Sequence, residues 1–358
     1  MKRILILGGS HSELPLIQEA KNLGLYVVTV GNILGNGHLE ADEYHLLDYS
    51  DKELILNFVK QNRIDYICFG AHDLSIITTT FIAEYLGLKN FDDYQTTQIL
   101  HHKDKFKKLA YTHKLNTPKA LWFTQKDTID ISSLEFPLII KPTDMGGGKG
   151  ISVINSKDKL QDAINLAFQY SKCKHIIIEE FFEGSLHSFS TFIVDKKVKF
   201  YHSDNEYPCP NNPYGVCASL APADHFETIK LQLIKEVEKI ANILNLKDGL
   251  LHMQYLQNND TFTIVEYTRR MPGDLYNIPV EMRTSFPYAK NIILGAIGQP
   301  LILDFKDTNK IVSRYCITDD YPKKLEPYIK DKLKITNSNK KEILFLEFDT
   351  KKQFLNQL

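Results

Sequence analysis

Apolar residues fall in short blocks along this chain, and their spacing changes character part-way. Residues 3–7 form a continuous apolar run ending in Gly8-Gly9; Leu14, Leu16, Ile17, Ala20 and Leu23 then recur at helical spacing, and a second run covers Leu25–Val30. A continuous run bounded by glycine predicts a buried strand, and the period between the runs predicts a helix, so the segment predicts a strand–helix–strand unit with a parallel crossover. The pattern continues with a helix over about 51–62, a strand at Tyr66–Phe69 and a helix over about 73–86. Residues 1–92 therefore predict a doubly wound parallel-sheet domain, with ligands expected at the carboxyl ends of its strands.

From Tyr94 to Lys114 the chain reads as helix, stopped by Asn116-Thr117-Pro118. Strands at Leu138–Lys141 and Ile176–Glu179 flank a glycine-rich turn and a helix over Lys157–Tyr170. Ser190–Val194 and Val198–Tyr201 predict a hairpin, and the helix Glu227–Leu244 leads into paired strands Gly249–Leu256 and Thr261–Tyr267. This change to antiparallel hairpins places a boundary between 90 and 115, giving a second domain over 93–300 with a smaller subdomain at 116–185. Residues 301–358 are expected to form a C-terminal α/β extension with strands at Ile311–Cys316 and Glu342–Phe348. The fold class is mixed, α/β followed by α+β.

Charge narrows the partners. Among 358 residues, 43 Lys plus Arg balance 44 Asp plus Glu for a net −1, against the basic excess a nucleic-acid binder needs. Five scattered cysteines with no C-x-x-C predict neither a disulfide framework nor a zinc site. The amino terminus lacks the pattern of a signal peptide and no stretch is apolar enough to span a membrane, so a cytoplasmic protein is expected.

Three features carry chemistry. In Ile139-Ile140-Lys141-Pro142-Thr143-Asp144-Met145-Gly146-Gly147-Gly148-Lys149-Gly150, a strand delivers a lysine into a glycine-rich turn. Backbone N–H groups can approach an anion closely there, with Lys141 and Lys149 adding charge, which suits phosphates. In Ile178-Glu179-Glu180-Phe181-Phe182, an apolar strand ends in acids and aromatics that could sandwich a flat base. Finally, alternation puts His252 and Gln254 on one face of a strand and Glu266 and Thr268 on one face of its neighbour, with Arg270 two residues on. Oxygen donors converging across a hairpin suit Mg²⁺, and an arginine beside them can clamp a phosphate or carboxylate.

In this order the three features resemble the ATP-grasp superfamily, most closely its carbamoyl-phosphate synthetase-like and biotin-carboxylase-like members. The resemblance implies a pre-ATP-grasp domain at the amino end and a lid-like role for 116–185. It implies that Lys105 and Lys141 contact the ATP phosphates, that Gly146, Gly147, Gly148, Lys149 and Gly150 form the loop over the γ-phosphate, and that Glu179, Glu180, Phe181 and Phe182 hold adenine. Backbone groups of Glu180 and Phe182 would read its edge. Magnesium, as one ion or two and replaceable by Mn²⁺, would sit on Gln254, Glu266 and Thr268, with Arg270 and Lys141 catalytic. Arg270, Arg283, Tyr276, Asn277 and His72 are candidates for the acceptor substrate.

Three positions depart from the family pattern: Thr268 stands where an asparagine is usual, Arg269 replaces a proline and adds a cation, and His187 takes the ribose-binding glutamate's place. The implied activity is an ATP- and Mg²⁺-dependent ligase joining a small carboxylate to an amine through an acyl phosphate, releasing ADP and phosphate. The competing readings are a nucleotide-binding protein without ligase activity and a phosphotransferase that stops at a phosphorylated product. The expected partners are small molecules, with a homodimer as the expected assembly.

Overall fold

Three β-sheets organise the chain in a computed structural model that describes residues 1–145, 148–209, 212–318, 323–338 and 340–357. The first sheet is parallel, with the order β3-β2-β1-β4, and contains β1 (Arg3–Leu7), β2 (Tyr26–Gly31), β3 (Glu43–Leu46) and β4 (Tyr66–Phe69). Ile4, Leu5, Ile6 and Leu7 on central β1 are fully buried, as a strand covered on both faces requires. Helices α1 (Leu14–Asn22), α2 (Asn36–Glu40) and α3 (Lys52–Gln61) connect the strands, and α4 (Asp73–Tyr85) follows β4. Strand β3 escapes the apolar pattern because Glu-Tyr-His-Leu is a half-exposed edge. At the carboxyl end of β1, Gly8 adopts φ +138°, where a Cβ would lie 2.6 Å from the Glu13 carboxyl carbon. Glu13 accepts hydrogen bonds from the N–H groups of Ser10 and Ala71, each at 2.8 Å, and so ties the ends of β1 and β4 together.

The helix predicted over 94–114 is two helices, α5 (Tyr94–His101) and α6 (Lys103–His113), broken at extended His102. Asp93 caps α5 by accepting from the Thr96 N–H at 2.7 Å. The second sheet is antiparallel, ordered β5-β8-β6-β7, from β5 (Ala120–Thr124), β6 (Leu138–Pro142), β7 (Ser152–Ile154) and β8 (His175–Glu180). Helix α7 (Leu160–Tyr170) closes its core, packing Ala163, Ile164 and Ala167 on Ile140, Ile176 and Ile178.

The third sheet has eight strands in the order β13-β12-β9-β10-β11-β14-β16-β15. They are β9 (Ser185–Val194), β10 (Lys197–Cys209), β11 (Asn212–Ala221), β12 (Gly249–Asn258), β13 (Thr261–Thr268), β14 (Ile311–Ile317), β15 (Ile329–Lys334) and β16 (Glu342–Phe348). One face is apolar, with Phe189, Met253, Tyr255, Ile264 and Tyr267 packed under α8 (Phe226–Ile243). The other face carries Ser188, Ser190, Asp204, Glu206, His252, Gln254 and Arg314, as the strand registers require. Over it lie α9 (Asn277–Thr284) and α10 (Tyr288–Ala296), where the Tyr288 hydroxyl reaches Ser190 Oγ at 2.7 Å. These two helices also share the core of the first sheet. The expected C-terminal extension contributes β14, β15 and β16 to the large sheet before a short α11 (Lys351–Leu355).

The cysteine expectation needs correction. Cys209 and Cys217 form a disulfide with a Cα separation of 4.9 Å, leaving Cys68, Cys173 and Cys316 as thiols. The pair comes together only through the β10–β11 hairpin, whose second strand is not apparent in the apolar pattern. Among the described residues, no helix is long and apolar enough to cross a membrane.

Candidate active site

The site forms where α6, the second sheet and the β12–β13 edge meet. Lys141 leaves β6 and reaches Glu179 on β8 at 2.8 Å, while Lys107 approaches the other oxygen of the same carboxylate at 3.2 Å. Glu179 and Lys107 are both buried. Burial alone would raise the Glu179 pKa, but the two ammonium groups outweigh it and hold it at about 2. Burial pulls the Lys107 pKa below its ordinary value, against the pull of Glu179. The lysine that meets this pair is Lys107, not the expected Lys105, whose Nζ donates to Gln98 at 2.8 Å. Because α6 begins only at Lys103, Lys103 and Lys107 share a face one turn apart and Lys105 points away. Lys103 lies 3.9 Å from Glu266.

Of the glycine-rich turn, Gly146 and Gly147 lie outside the described residues. Gly148 adopts φ +78°, and a Cβ there would meet Tyr214 at 2.5 Å, so the turn rests against the start of β11. Gly150 is buried at φ +74°, and Lys149 is exposed. At the end of β8, the Glu180 N–H is taken by the Lys119 carbonyl at 3.0 Å and that of Phe181 by Pro137 at 2.8 Å. Half-buried Phe181 and Phe182 complete this hinge. His187 does not join it: the ring lies on the apolar face of the large sheet, stacked on Tyr255 at 5.1 Å, and burial lowers its pKa to about 4. The ribose contact expected of it is therefore not available.

Gln254 and Glu266 are directly paired across β12 and β13. The Gln254 amide nitrogen donates to Glu206 at 2.5 Å, which leaves its carbonyl oxygen for a cation beside the Glu266 carboxylate. Two facing oxygen donors fit Mg²⁺, with phosphate and water oxygens completing its shell. The Thr268 hydroxyl lines the same cleft as Glu266 and accepts from the Arg270 N–H at 3.2 Å, which occupies one of its two lone pairs. The Nε of Arg270 donates at 2.8 Å to Asp73, which lines the cleft, and His101 meets the same carboxylate at 2.8 Å. Burial opposes ionisation of Asp73, yet Arg270 and His101 hold its pKa well below the usual carboxylate range.

Other expected residues serve elsewhere. Arg283 is buried and spends its guanidinium on Asp307 and the Lys310 carbonyl, packing the segment that leads into β14. His72 is exposed and caps α4 through Nδ1, which accepts from the Leu74 N–H at 3.2 Å. Asn277 is fully buried at the start of α9, next to Tyr276, whose hydroxyl lies 2.7 Å from Ser188 on the polar face. Arg269 brings no cation to the cleft. It is buried against Asp92 at 2.7 Å and the Leu250 and Lys247 carbonyls, pinning the end of the first domain to β12. Replacing Arg269 by Ala strands the buried Asp92 charge, and urea denaturation is expected to show a loss of about 3–5 kcal/mol.

The family described as D-ala D-ala ligase C-terminus matches residues 115–273, the span holding both lysine-facing strands and the β12–β13 pair. Residues 115–273 thus match an ATP-grasp domain. Among curated ATP-grasp relatives the chain is 32% identical over 186 residues to a formate-dependent phosphoribosylglycinamide formyltransferase of Prochlorococcus marinus, covering 50% of this chain and 47% of that one. It is 32% identical over 198 residues to a D-alanine–D-alanine ligase of Buchnera aphidicola, covering 50% and 56%. The chain thus spans about half the length of these relatives. Among solved structures, an N5-carboxyaminoimidazole synthetase from Staphylococcus aureus complexed with ADP superposes with TM-score 0.81 at 19% identity, over 99% of this chain and 95% of that one. An L-amino acid ligase from Bacillus licheniformis gives 0.79 at 17%, over 99% and 95%. At these identities the likeness is one of fold.

Three charged groups that line the cleft, Lys107, Asp73 and His101, are not evident in the sequence pattern, nor are the buried Asp204, Glu206 and Arg314 on the polar face of the large sheet. For Asp204 and Glu206 a signal exists. Extending the strand past Tyr201 puts alternate residues on one face, and two acids at that spacing are unusual inside a sheet.

Proposed function

We propose that the chain is an ATP- and Mg²⁺-dependent ligase that activates a small carboxylate as an acyl phosphate and joins it to an amine, releasing ADP and phosphate. The observation that supports this reading is one cleft lined by Lys107, Lys141, Glu179 and Glu266, with Gln254 paired to Glu266 across the strands and Arg270 held on Asp73 of its wall. Lys107 and Lys141 would exchange Glu179 for the triphosphate, and the Phe182 main chain would read the adenine edge. Gln254 and Glu266 would hold Mg²⁺ through oxygen. When bound, ATP supplies the phosphoryl group and the metal neutralises its charge.

Arg270 lies where it can leave Asp73 for the transferred phosphoryl group, whose charge grows during transfer. A carboxylate oxygen of the substrate bonds to phosphorus as the bond to ADP breaks. The amine nitrogen then bonds to the acyl carbon, phosphate departs with the C–O electron pair, and the surplus amine proton passes to a base. Positioning and charge supply most of such catalysis, so no protein nucleophile is required.

A screen of small carboxylates paired with amines, read by ADP release and product mass, tests this. ADP release that requires both additions, with a dehydrated adduct as product, is expected. A stable phosphorylated carboxylate accumulating unchanged in the presence of every amine would overturn the joining step.

A further inference from the structure

Near its turn the β10–β11 hairpin loses register, and its two cysteines flank the break. Pro208 pairs with Val216, but the next residue, Cys209, pairs with Asn212, so β10 advances by one residue while β11 advances by four. Pro213, Tyr214 and Gly215 take no partner in that register and form a bulge. Cys217, skipped between Val216 and Ala218, is bonded to Cys209 and closes the base of the bulge.

The bulge touches the glycine-rich turn. A Cβ at Gly148 would lie 2.5 Å from Tyr214 Cβ and 2.7 Å from Asn212 Oδ1, so only bare backbone approaches this closely. Asn212 Oδ1 accepts from the Tyr214 N–H at 3.2 Å, which holds the bulge in shape. Burial raises the Tyr214 pKa and the Lys141 ammonium opposes it, so the ring lies in the field of that lysine. The bridge thus stands at one end of a short chain of contacts, with the turn that carries Lys149 at the other.

The sulfurs lie apart from the packed interior. The cores of the large sheet are built from other residues, so opening the bridge alters the bulge and spares the fold. Cys209 is half-buried while Cys217 is buried, so a thiolate from solvent reaches the Cys209 sulfur first. Disulfides with a reachable sulfur are the exchangeable ones. A closed bridge also removes conformations from the bulge, and fewer are then lost when the turn docks on Tyr214.

We infer that Cys209 and Cys217 are a reversible redox modification site that sets nucleotide affinity by fixing Tyr214 against the Gly148 turn. Its reactant is a small-molecule disulfide of the oxidised-glutathione class. One cysteine thiolate attacks that disulfide and releases a glutathione thiolate. The second attacks the resulting mixed disulfide and releases another. Two protein thiols become one disulfide, two electrons pass to glutathione, and the two departing thiolates take up the two protons. Excess reduced glutathione runs the exchange backwards. The oxidised state holds the docking surface for the turn and favours bound nucleotide, and the reduced state frees it. The effect on affinity rests on the nucleotide-binding part of the ligase reading, whereas the docking of the turn does not.

The test equilibrates the full chain in oxidised or reduced glutathione, with the state of the bridge read by mass. Each form is titrated with a fluorescent ADP and Mg²⁺, and each is separately cut with trypsin in the absence of nucleotide. The oxidised form is expected to bind about tenfold tighter, an ordinary size for coupling between two sites. It should also be cut more slowly after Lys149, which is exposed. Cys209→Ser combined with Cys217→Ser should stay at the reduced values in both buffers, and Cys173→Ser, which removes the exposed thiol, should respond like the wild type. Tyr214→Ala should form the bridge yet lose both differences; if the double variant fails to fold, Tyr214→Ala carries the test. Equal nucleotide affinity in the two states overturns the switch, as does a redox response that survives the double variant or Tyr214→Ala. Absence of nucleotide binding in either state sinks the nucleotide reading instead, and the trypsin difference then decides the switch alone.

Discussion

Lys141→Ala is expected to cut ATP turnover by at least about a hundredfold while the protein stays folded, because each lysine aimed at a transferring phosphoryl group supplies several kcal/mol of charge stabilisation. Folding should survive because Glu179 keeps Lys107 as its partner at 3.2 Å. Lys107→Ala should match it in turnover. Lys105→Ala should leave turnover largely unchanged, since that side chain is engaged with Gln98. Coupled-assay rates for the three variants, beside circular dichroism, separate the cases. Equal losses for Lys105 and Lys107 would sink the placement of α6 in the cleft, and full activity of Lys141→Ala would sink the phosphate assignment.

Glu179→Gln should show the largest effect on stability. The substitution leaves two ammonium groups against a neutral amide, and breaking a buried pair from one side costs about 3–5 kcal/mol. The wild-type contribution depends on acid in a defined window. The folded pKa of about 2 lies below the ordinary 4.5, so the stabilisation is complete above about pH 4.5 and fades as pH falls toward 2. That shift corresponds to about 3 kcal/mol. Urea titrations of both proteins should therefore differ most near neutral pH and converge in acid. MgATP should stabilise the variant more than the wild type, because phosphate oxygens restore the missing counter-charge. A gap that stays constant from pH 7 to pH 3 would mean that Glu179 is not the titrating group.

The fold was largely legible from apolar spacing because its strands are buried runs: β1, β6, β8 and β12 all declare themselves. Half-exposed β3 and the second strand of the β10–β11 hairpin lack that contrast, and the Cys209–Cys217 pairing was invisible with them. Within the site, Lys141, Gln254 and Glu266 could be read because each sits on a strand whose alternation fixes its face. Lys107 could not, since the break at His102 resets the phase of α6 and a two-residue shift on a helix turns a side chain to another side. Arg269 and Arg270 show the same limit. Adjacent arginines look alike in sequence, yet one braces Asp92 in the interior and the other reaches Asp73 in the cleft. His187 falls on the apolar face beside Tyr255, a strand parity that its distance from the hinge in sequence does not reveal. Asp204, Glu206 and Arg314 share one sheet face through strands far apart in the chain, a placement that local spacing does not encode.

The Lys107–Glu179–Lys141 cluster also bears on which anions the protein ignores. Glu179 is a tethered rival for both lysines, present at an effective concentration of millimolar or more by virtue of the chain itself. Free phosphate and other simple cellular anions would have to displace it with nothing else to hold them. A nucleotide brings a base and a chain of phosphates that bind in concert. The internal carboxylate thus acts as a filter on entry, reserving the two lysines for a ligand that can make many contacts at once.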